Sequence, residues 1–267
     1  MFWKLFKKSG DNKESSKPEP IVVMILLENT NMLQSDELFK MFNEARSDEV
    51  LTNIQKNDDT YTFEIDGEMG FVSLMPGPMP WGDLEGPCAT AWYWTKATEV
   101  LKQHKAHIIV SILPQNQQKQ VLERIITTTK IVASVAKAAN ALGIYWGSGT
   151  VVQSKDNFIN ECMKMDKEYF PYELWIEFRI QVFPDRTCNI ITTGMKAFGH
   201  MEIEVIRSSK DPMEVLEFIF NIIDYLIKNG PVIKDGDTVG EDESQRIKVY
   251  YKKSIWDRGG KVMFISY

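Results

Sequence analysis

The sequence predicts an α+β fold, in which a ferredoxin-like βαββαβ first part is followed by antiparallel strands packed on a long helix. Three patterns support this prediction. Short continuous apolar runs indicate buried strands, alternating apolar and polar residues indicate half-buried strands, and apolar residues three and four positions apart indicate helices. The 267-residue chain is 43% hydrophobic and 25% charged, the balance of an ordinary globular protein.

The first part is expected at residues 21–168, after a polar linker that ends at residue 20. Ile21–Leu27 is a continuous apolar run, typical of a strand buried on both faces. The further predicted elements are a helix beginning at Ser35 or Asp36, a hairpin of strands 61–65 and 71–75 about Asp66-Gly67, a helix at 87–105, and a strand at 108–113. This order is the ferredoxin-like arrangement. A long helix at 117–142, a strand-like segment at 144–152 and a short helix at 157–167 complete this part.

The second part is expected at residues 169–267. Apolar residues alternate with polar ones from Leu174 to Val182, which predicts a strand, and further strands follow at 188–193, 201–205, 246–252 and 262–267. Asp211 and Pro212 form a helix cap followed by a first-turn proline. The predicted helix has one apolar stripe and ends before Gly230.

Two segments of the second part resemble a known family. They are residues 194–204 (GMKAFGHMEIE) and 229–240 (NGPVIKDGDTVG), and both are similar to the family catalogued as domain of unknown function 4261. Residues 80–90 (PWGDLEGPCAT) resemble the amino-terminal part of its full-length members. The resemblance implies a bacterial cytoplasmic protein and assigns no activity and no catalytic residue.

Composition excludes several classes of function. A net charge of −6 argues against nucleic acid as the partner, because phosphate binding needs clustered lysine and arginine. Cys88, Cys162 and Cys188 are far apart and odd in number, which argues for a reducing cytoplasm and against a structural zinc site. No apolar run approaches the roughly 20 residues that span a bilayer. We therefore predict no metal and no cofactor.

The first candidate site is the proline-rich loop at 76–82 with the predicted helix behind it. Trp92 falls on a polar stripe of that helix, so its indole must pack on something. One interpretation is that the loop folds over it, with Trp81 or a proline as a lid. The other is that Trp92 is an aromatic hot spot for a partner protein.

The second candidate is an acidic sheet face. Glu177 and Arg179 share one face of a predicted strand, and His200, Glu202 and Glu204 share one face of another. If the strands are neighbours, these groups form a single surface that could do acid–base chemistry or hold a metal. The alternative is a solvated outer face, in which Glu177 and Arg179 pair across strands.

Two other motifs have structural alternatives. Gly147-Ser148-Gly149-Thr150 lacks the lysine of a phosphate-binding loop, so a structural turn or bulge is expected. The chain begins with apolar and basic side chains that could contact a membrane surface weakly; the alternative is a disordered start. These membrane-contact candidates are Phe2, Trp3, Lys4, Phe6, Lys7 and Lys8.

The sequence thus favours a non-enzymatic cytoplasmic module that binds another protein, of which an immunity protein is one form. The first alternative is an enzyme of unrecognised type that uses the acidic face. The second is a peripheral membrane adaptor tethered by residues 1–8. A pocket that gathers Glu177, Glu202 and His200 would favour the enzyme, and a flat surface would favour binding.

Overall fold

A computed structural model describes residues 20–30, 51–115, 120–139, 141–240, 244–256 and 260–267. One compact unit ends at Trp175, and a second begins at Ile176. Each combines a sheet with helices, which confirms the α+β class. The helix predicted to begin at Ser35 or Asp36 lies outside the described residues.

The first unit contains a seven-stranded sheet in which each described pairing is antiparallel. Its strands are β1 (Ile21–Leu27), β2 (Thr52–Asn57), β3 (Thr60–Ile65), β4 (Glu68–Met75), β5 (Ala106–Leu113), β6 (Gly143–Trp146) and β7 (Val151–Ser154). Their order across the sheet is β2-β3-β4-β5-β1-β6-β7. Strand β1 lies between β5 and β6. The face with Val23 and Ile25 is buried, while the other face is buried at Leu26 and partly buried at Val22 and Met24, close to the burial on both faces that the sequence predicts.

The helices of this unit are α1 (Trp81–Thr90), α2 (Ala97–Leu101), α3 (Val121–Ala138) and α4 (Lys155–Lys164). Helix α3 contacts β1 and β5. Helices α1 and α2 pack on the sheet through one hydrophobic cluster, formed by Leu26, Met79, Leu84, Cys88, Ala91, Ala97, Leu101, Tyr145 and Val152. We call this set the helical-pair cluster. Burial of apolar area of this kind is the main force that holds the two short helices in place.

The strand order differs from the ferredoxin-like arrangement that the sequence predicts. That arrangement is built from split βαβ units, which contain parallel strands joined through a helix. Here β5 returns antiparallel beside β4, and β1 lies on its other side. Strand β2 was not predicted because Ile54 is its only apolar residue and all six of its residues are exposed. The order of elements along the chain does not determine which strands pair.

The helix predicted at 87–105 is also different, because the chain forms two short helices with a turn between them. Pro87 lies inside α1 rather than in a first turn. After Ala91 the backbone forms turns, in which Trp94 N–H donates to Ala91 O and Ala97 N–H donates to Trp94 O. Trp92 therefore lies on this interhelical turn and not on a helix face.

The second unit contains a six-stranded sheet of order β11-β12-β13-β10-β9-β8. The strands are β8 (Glu177–Val182), β9 (Cys188–Thr193), β10 (Ile203–Ser208), β11 (Thr238–Val239), β12 (Ile247–Lys253) and β13 (Lys261–Ile265). The β10–β13 pairing is parallel and the others are antiparallel. The strand predicted from Leu174 begins only at Glu177, since residues 172–174 form a 3-10 turn.

Helix α5 (Pro212–Asn229) covers one face of this sheet and has the predicted boundaries. The Asp211 side chain accepts a hydrogen bond from Met213 N–H, and Pro212 occupies the first turn. The Phe220 ring packs on Phe178 of β8 with 4.5 Å between ring centroids. The alternation along β8 thus directs its apolar face to the helix, as the sequence predicts.

Candidate functional site

Four aromatic residues lie in α1 and the interhelical turn, and three of them pack inward. Trp81, Tyr93 and Trp94 pack against the helical-pair cluster. Trp92 remains 44% exposed and meets Tyr93 edge to face, with 5.5 Å between ring centroids and an 80° interplanar angle. A loop folded over Trp92 as a lid is inconsistent with that exposure.

The turn that presents Trp92 is held by hydrogen bonds to rigid elements. The Tyr93 hydroxyl donates to Val152 O of β7 at 3.0 Å. The preceding proline-rich loop is fixed by two imidazoles, since His107 Nδ1 bonds Gly77 O at 2.9 Å and His104 Nε2 bonds Met79 O at 3.2 Å. His107 Nδ1, which faces the Gly77 carbonyl oxygen, carries a proton and donates to it. The exposed indole therefore stands on an ordered platform.

Trp81 has a different environment from Trp92. It begins α1 and is partly buried against the helical-pair cluster. Lys102 Nζ lies 5.0 Å from the centroid of its ring, within the range of a cation–π interaction. Its Nε1 is buried and has no hydrogen-bond partner among the described residues. Trp81 thus packs against the helical-pair cluster at the start of α1, whereas Trp92 is the outward-facing aromatic residue of the turn.

The predicted acidic face does not form one continuous cluster. Strand β9 separates β8 from β10, and Ile191 lies between Arg179 and Glu204 in the register of the sheet. Two strand spacings place them roughly 10 Å apart. Glu177 is buried and accepts hydrogen bonds from Arg179 Nη2 at 3.2 and 3.5 Å. The pairing of Glu177 with Arg179 joins neighbours on one strand rather than residues across strands.

Glu202 is buried at the centre of a hydrogen-bond network. Its Oε1 accepts from the backbone N–H groups of Gly194 at 3.0 Å and Lys196 at 3.4 Å. Its Oε2 accepts from the Thr192 hydroxyl at 2.8 Å and from Met195 N–H at 3.2 Å. This carboxylate occupies a nest of backbone amides at the start of the 3-10 turn at Met195–Phe198. We call it the Glu202 nest.

Glu204 and His200 are also buried and held by local contacts. Glu204 accepts a hydrogen bond from the Ser254 hydroxyl at 2.5 Å and a longer one from Ile255 N–H at 3.5 Å. The backbone N–H of His200 donates to Met195 O. Burial lowers the pKa of His200, so its imidazole is a weaker base than an exposed one. These contacts stabilise the loops around β10.

Burial and hydrogen bonding determine the chemical state of the thiols and buried carboxylates among the described residues. No group of three or more His, Cys, Asp or Glu side chains that could hold a metal occurs among the described residues. Burial raises the pKa of Cys88 to about 11, and it also raises the pKa of Cys188, so both remain protonated thiols at neutral pH. The Glu202 and Glu204 carboxylates are occupied by structural hydrogen bonds.

A cluster that the sequence did not predict joins the last turns of α4 to the segment that follows it. The Tyr169 hydroxyl donates to Glu161 Oε2 at 2.7 Å, and Lys164 contacts Glu161 Oε1 at 2.7 Å. The pKa of Tyr169 is raised mainly by burial, and its hydrogen bond to Glu161 is the next largest cause. Burial alone would raise the pKa of Glu161, but the hydrogen bonds from Lys164 and Tyr169 outweigh it, and the pKa is lowered. For Glu173, burial is the main cause and its pKa is raised. Burial and the contacts among these four residues together account for the shifts, and only the i,i+3 spacing of Glu161 and Lys164 could have been read from the sequence.

The glycine segment at residues 147–150 is a structural turn. It forms a 3-10 turn between β6 and β7, ending at Thr150 with a left-handed backbone (φ 54°). A Cβ atom on Gly149 would lie 2.0 Å from the backbone oxygen of Trp175. Glycine is required here because two backbone segments approach closely.

We expect Gly149→Ala to lower the free energy of unfolding by about 2–4 kcal/mol, because backbone atoms must move to admit the methyl group. Gly86→Ala is the matched control. Gly86 lies within α1 with nothing within 4 Å of its Cβ position, so alanine there should stabilise by about 0.5–1 kcal/mol. Urea denaturation of both variants followed by circular dichroism measures this, and equal stabilities would contradict it.

The membrane-contact candidates, from Phe2 to Lys8, lie outside the described residues. Among the residues that are described, no helix combines the length and hydropathy needed to cross a membrane.

The Glu202 nest coincides with the strongest sequence resemblance. Both its carboxylate and its amide donors lie in the segment GMKAFGHMEIE at 194–204, apart from Thr192. Residues 191–266 match the family model described as Domain of unknown function (DUF4261). The resemblance is therefore confirmed for this segment. The DUF4261 segment runs from within β9 to β13 and includes α5.

The structure gives a physical role to the DUF4261 motif. Gly194 (φ 125°) and Gly199 (φ 76°) have backbone conformations that favour glycine, and they flank the 3-10 turn whose amides bind Glu202. The motif residues thus build a loop whose backbone amides bind the Glu202 carboxylate. No curated protein and no solved structure shows a match to the chain.

Proposed function

We propose that this protein is a non-enzymatic module that binds another protein through the surface around Trp92. The observation that carries the proposal is the 44% exposure of an indole on a turn whose neighbouring aromatics are packed inward. An exposed tryptophan on an ordered platform can bury a large apolar area in a partner at little entropic cost.

The surroundings of Trp92 fit a small interface. Exposed polar residues flank it along the chain, including Thr95, Lys96 and Glu99. Interfaces commonly have a central aromatic anchor surrounded by a polar rim that excludes water. We therefore expect the partner to offer an apolar pocket that accepts the indole and that is surrounded by both positively and negatively charged side chains.

The proposal places the protein in the bacterial cytoplasm, as the resemblance to the DUF4261 family implies. The three cysteines are free thiols in the structure, which is typical of a reducing compartment. The buried and hydrogen-bonded state of Glu202 and Glu204 also supports binding over acid–base catalysis on that sheet face.

Trp92→Ala should weaken partner binding by about 2 kcal/mol or more, roughly 30-fold in Kd, because a hot-spot indole is removed. Stability should change by less than about 1 kcal/mol, since Trp92 lies outside the helical-pair cluster. Affinity capture from native-host lysate identifies the partner, and biolayer interferometry with the purified partner then measures its Kd.

Met163→Ala is the matched control, because Met163 is a large apolar side chain that is 72% exposed elsewhere on the same unit. A protein captured by the wild type and by Met163→Ala, but lost with Trp92→Ala, supports the proposal. Capture of the same proteins by all three forms contradicts it. A stability loss of several kcal/mol with binding intact would show that Trp92 is a core residue.

A further inference from the structure

The hairpin of β12 and β13 carries a concentrated positive charge in a chain of net charge −6. Among described residues 244–256 and 260–267 there are five exposed basic side chains and no acidic side chain: Arg246, Lys248, Lys252, Lys253 and Lys261. A local excess of this kind creates a positive potential that attracts anionic groups.

Two of these lysines share one face of the hairpin with two aromatic rings. Alternation along β12 places Lys248, Tyr250 and Lys252 on the same side, and Phe264 of β13 lies opposite Tyr250. We call these four residues the basic hairpin face. Lys253 and Lys261 lie opposite each other in the β12–β13 register, with their side chains on the other face of the hairpin.

The ammonium group of Lys252 is positioned over both rings. Its Nζ lies 4.8 Å from the Tyr250 ring centroid and 4.1 Å from the Phe264 ring centroid. This cation–π arrangement restrains the charge without neutralising it. Neither Lys248 nor Lys252 forms an ion pair within the part of the chain that the structure describes.

The carboxylates of Glu204, Asp235 and Asp237, which are among the described residues near the hairpin, accept hydrogen bonds from other groups. Glu204, beside Phe264 in the sheet register, is buried and accepts from Ser254. Asp235 accepts from Tyr251 N–H at 2.7 Å, and Asp237 accepts from Lys234 N–H at 2.7 Å. Lys248 and Lys252 are themselves exposed, so the face presents their positive charge to solvent.

We propose that the basic hairpin face docks an acidic segment of a partner protein in extended conformation. Carboxylates on alternate residues of an extended peptide recur about every 6.8 Å, so two such intervals match the roughly 13.6 Å between Lys248 and Lys252 on their strand. The partly buried Tyr250–Phe264 pair lies beneath Lys252 and holds its ammonium group in place on this face. This surface belongs to the second unit and is independent of the Trp92 surface.

An acidic peptide fits this face better than single-stranded nucleic acid. Nucleic-acid platforms stack bases on open aromatic faces, whereas here the ammonium of Lys252 lies over both rings. A long polyanion would also meet the negative charge of the rest of the chain, while a short acidic segment contacts only the hairpin.

Fluorescence anisotropy of a labelled heptapeptide in which glutamate alternates with serine tests the proposal on the full chain. We expect saturable binding at low ionic strength that weakens steeply as salt is added, because exposed charges are screened. The same peptide with glutamine in place of glutamate should not bind. Absence of saturable binding by the glutamate peptide overturns the proposal.

Two double variants separate a specific face from general charge attraction. Lys248→Gln with Lys252→Gln should weaken peptide binding by ~10-fold or more, since both ion pairs are lost. Lys253→Gln with Lys261→Gln removes the same charge from the opposite side and should change it by less than about 3-fold. Equal weakening by both pairs contradicts docking on the basic hairpin face.

Three further measurements complete the test. The acidic residues that precede β12 in the sequence are Glu241, Asp242 and Glu243, which lie outside the described residues. Converting them to Gln, Asn and Gln removes negative charge near the face, so peptide binding should be unchanged or tighter. A loss of binding contradicts the proposal. A single-stranded oligothymidine that binds more tightly than the peptide at equal salt overturns it in favour of nucleic acid. Trp92→Ala should leave peptide binding unchanged, and its failure to do so would unite the two surfaces and contradict their independence.

Discussion

Replacing Glu202 by glutamine should lower the free energy of unfolding by about 3–4 kcal/mol, although the two side chains have almost the same shape. The carboxylate accepts four hydrogen bonds, two at each oxygen, from Thr192 and from the amides of residues 194–196. Glutamine keeps one oxygen and turns an NH₂ group towards two of the donors. Those two donors lose their acceptor in a buried site, and the bonds that remain lose their charge.

The local consequence of this change can be measured beside the global one. Urea denaturation gives the free energy of unfolding, and hydrogen exchange reports the amides of Gly194, Met195 and Lys196 individually. We expect these three amides to lose protection even under conditions in which the sheet stays folded. Glu217→Gln is the matched control, because Glu217 is exposed on α5 and its replacement should change stability by less than about 0.5 kcal/mol.

A stability loss below about 1 kcal/mol in Glu202→Gln, with the three amides still protected, would show that the Glu202 nest is not a structural centre. In that case the carboxylate would be free for other chemistry, and the enzymatic alternative would gain support.

The second unit follows its sequence closely because its signals are local. Strand β9 has the predicted bounds of 188–193, and α5 begins at Pro212 after the Asp211 cap and ends before Gly230. Caps, turn residues and alternation act over a few positions, so the chain itself encodes them.

The first unit departs from its sequence where long-range pairing decides. Both β1 and β5 are buried apolar runs that could pair with several partners, and nothing local specifies that β5 lies between β4 and β1. Strand β2 has almost no apolar signal and is held by its ladder to β3. Pairing energy depends on neighbours distant in sequence, which a single chain read locally does not reveal.

The candidate sites show the same division. Alternation correctly places Glu202 and Glu204 on one face of the chain near β10, yet it gives no indication that loop amides and Ser254 reach them. The exposure of Trp92 arises because the predicted helix breaks after Thr90, so the helical stripe on which it was placed does not exist. The basic hairpin face could have been found from the sequence, since Lys248, Tyr250 and Lys252 recur with a period of two.

Replacing Arg124 by methionine should lower the free energy of unfolding by about 3–5 kcal/mol, because it leaves the charge of Glu68 buried without its partner. Arg124 Nε lies 3.0 Å from Glu68 Oε1, and the two side chains are 3% and 0% exposed. The other Glu68 oxygen accepts from Gln115 N–H at 2.9 Å. The ion pair joins α3 to Glu68, the first residue of β4, and these two elements are far apart in sequence.

A double-mutant cycle separates the interaction from the cost of burying a charge. Glu68→Met combined with Arg124→Met removes both charges, so it should be more stable than Arg124→Met alone by about 2 kcal/mol or more. The remaining loss reflects the Gln115 N–H, which then has no carboxylate acceptor. Lys164→Met cuts an exposed pair with Glu161 in the same unit and should cost less than about 1 kcal/mol. If Arg124→Met costs no more than Lys164→Met, the buried pair is not what fixes α3 against the sheet, and the apolar contacts of α3 with β1 and β5 must hold it alone.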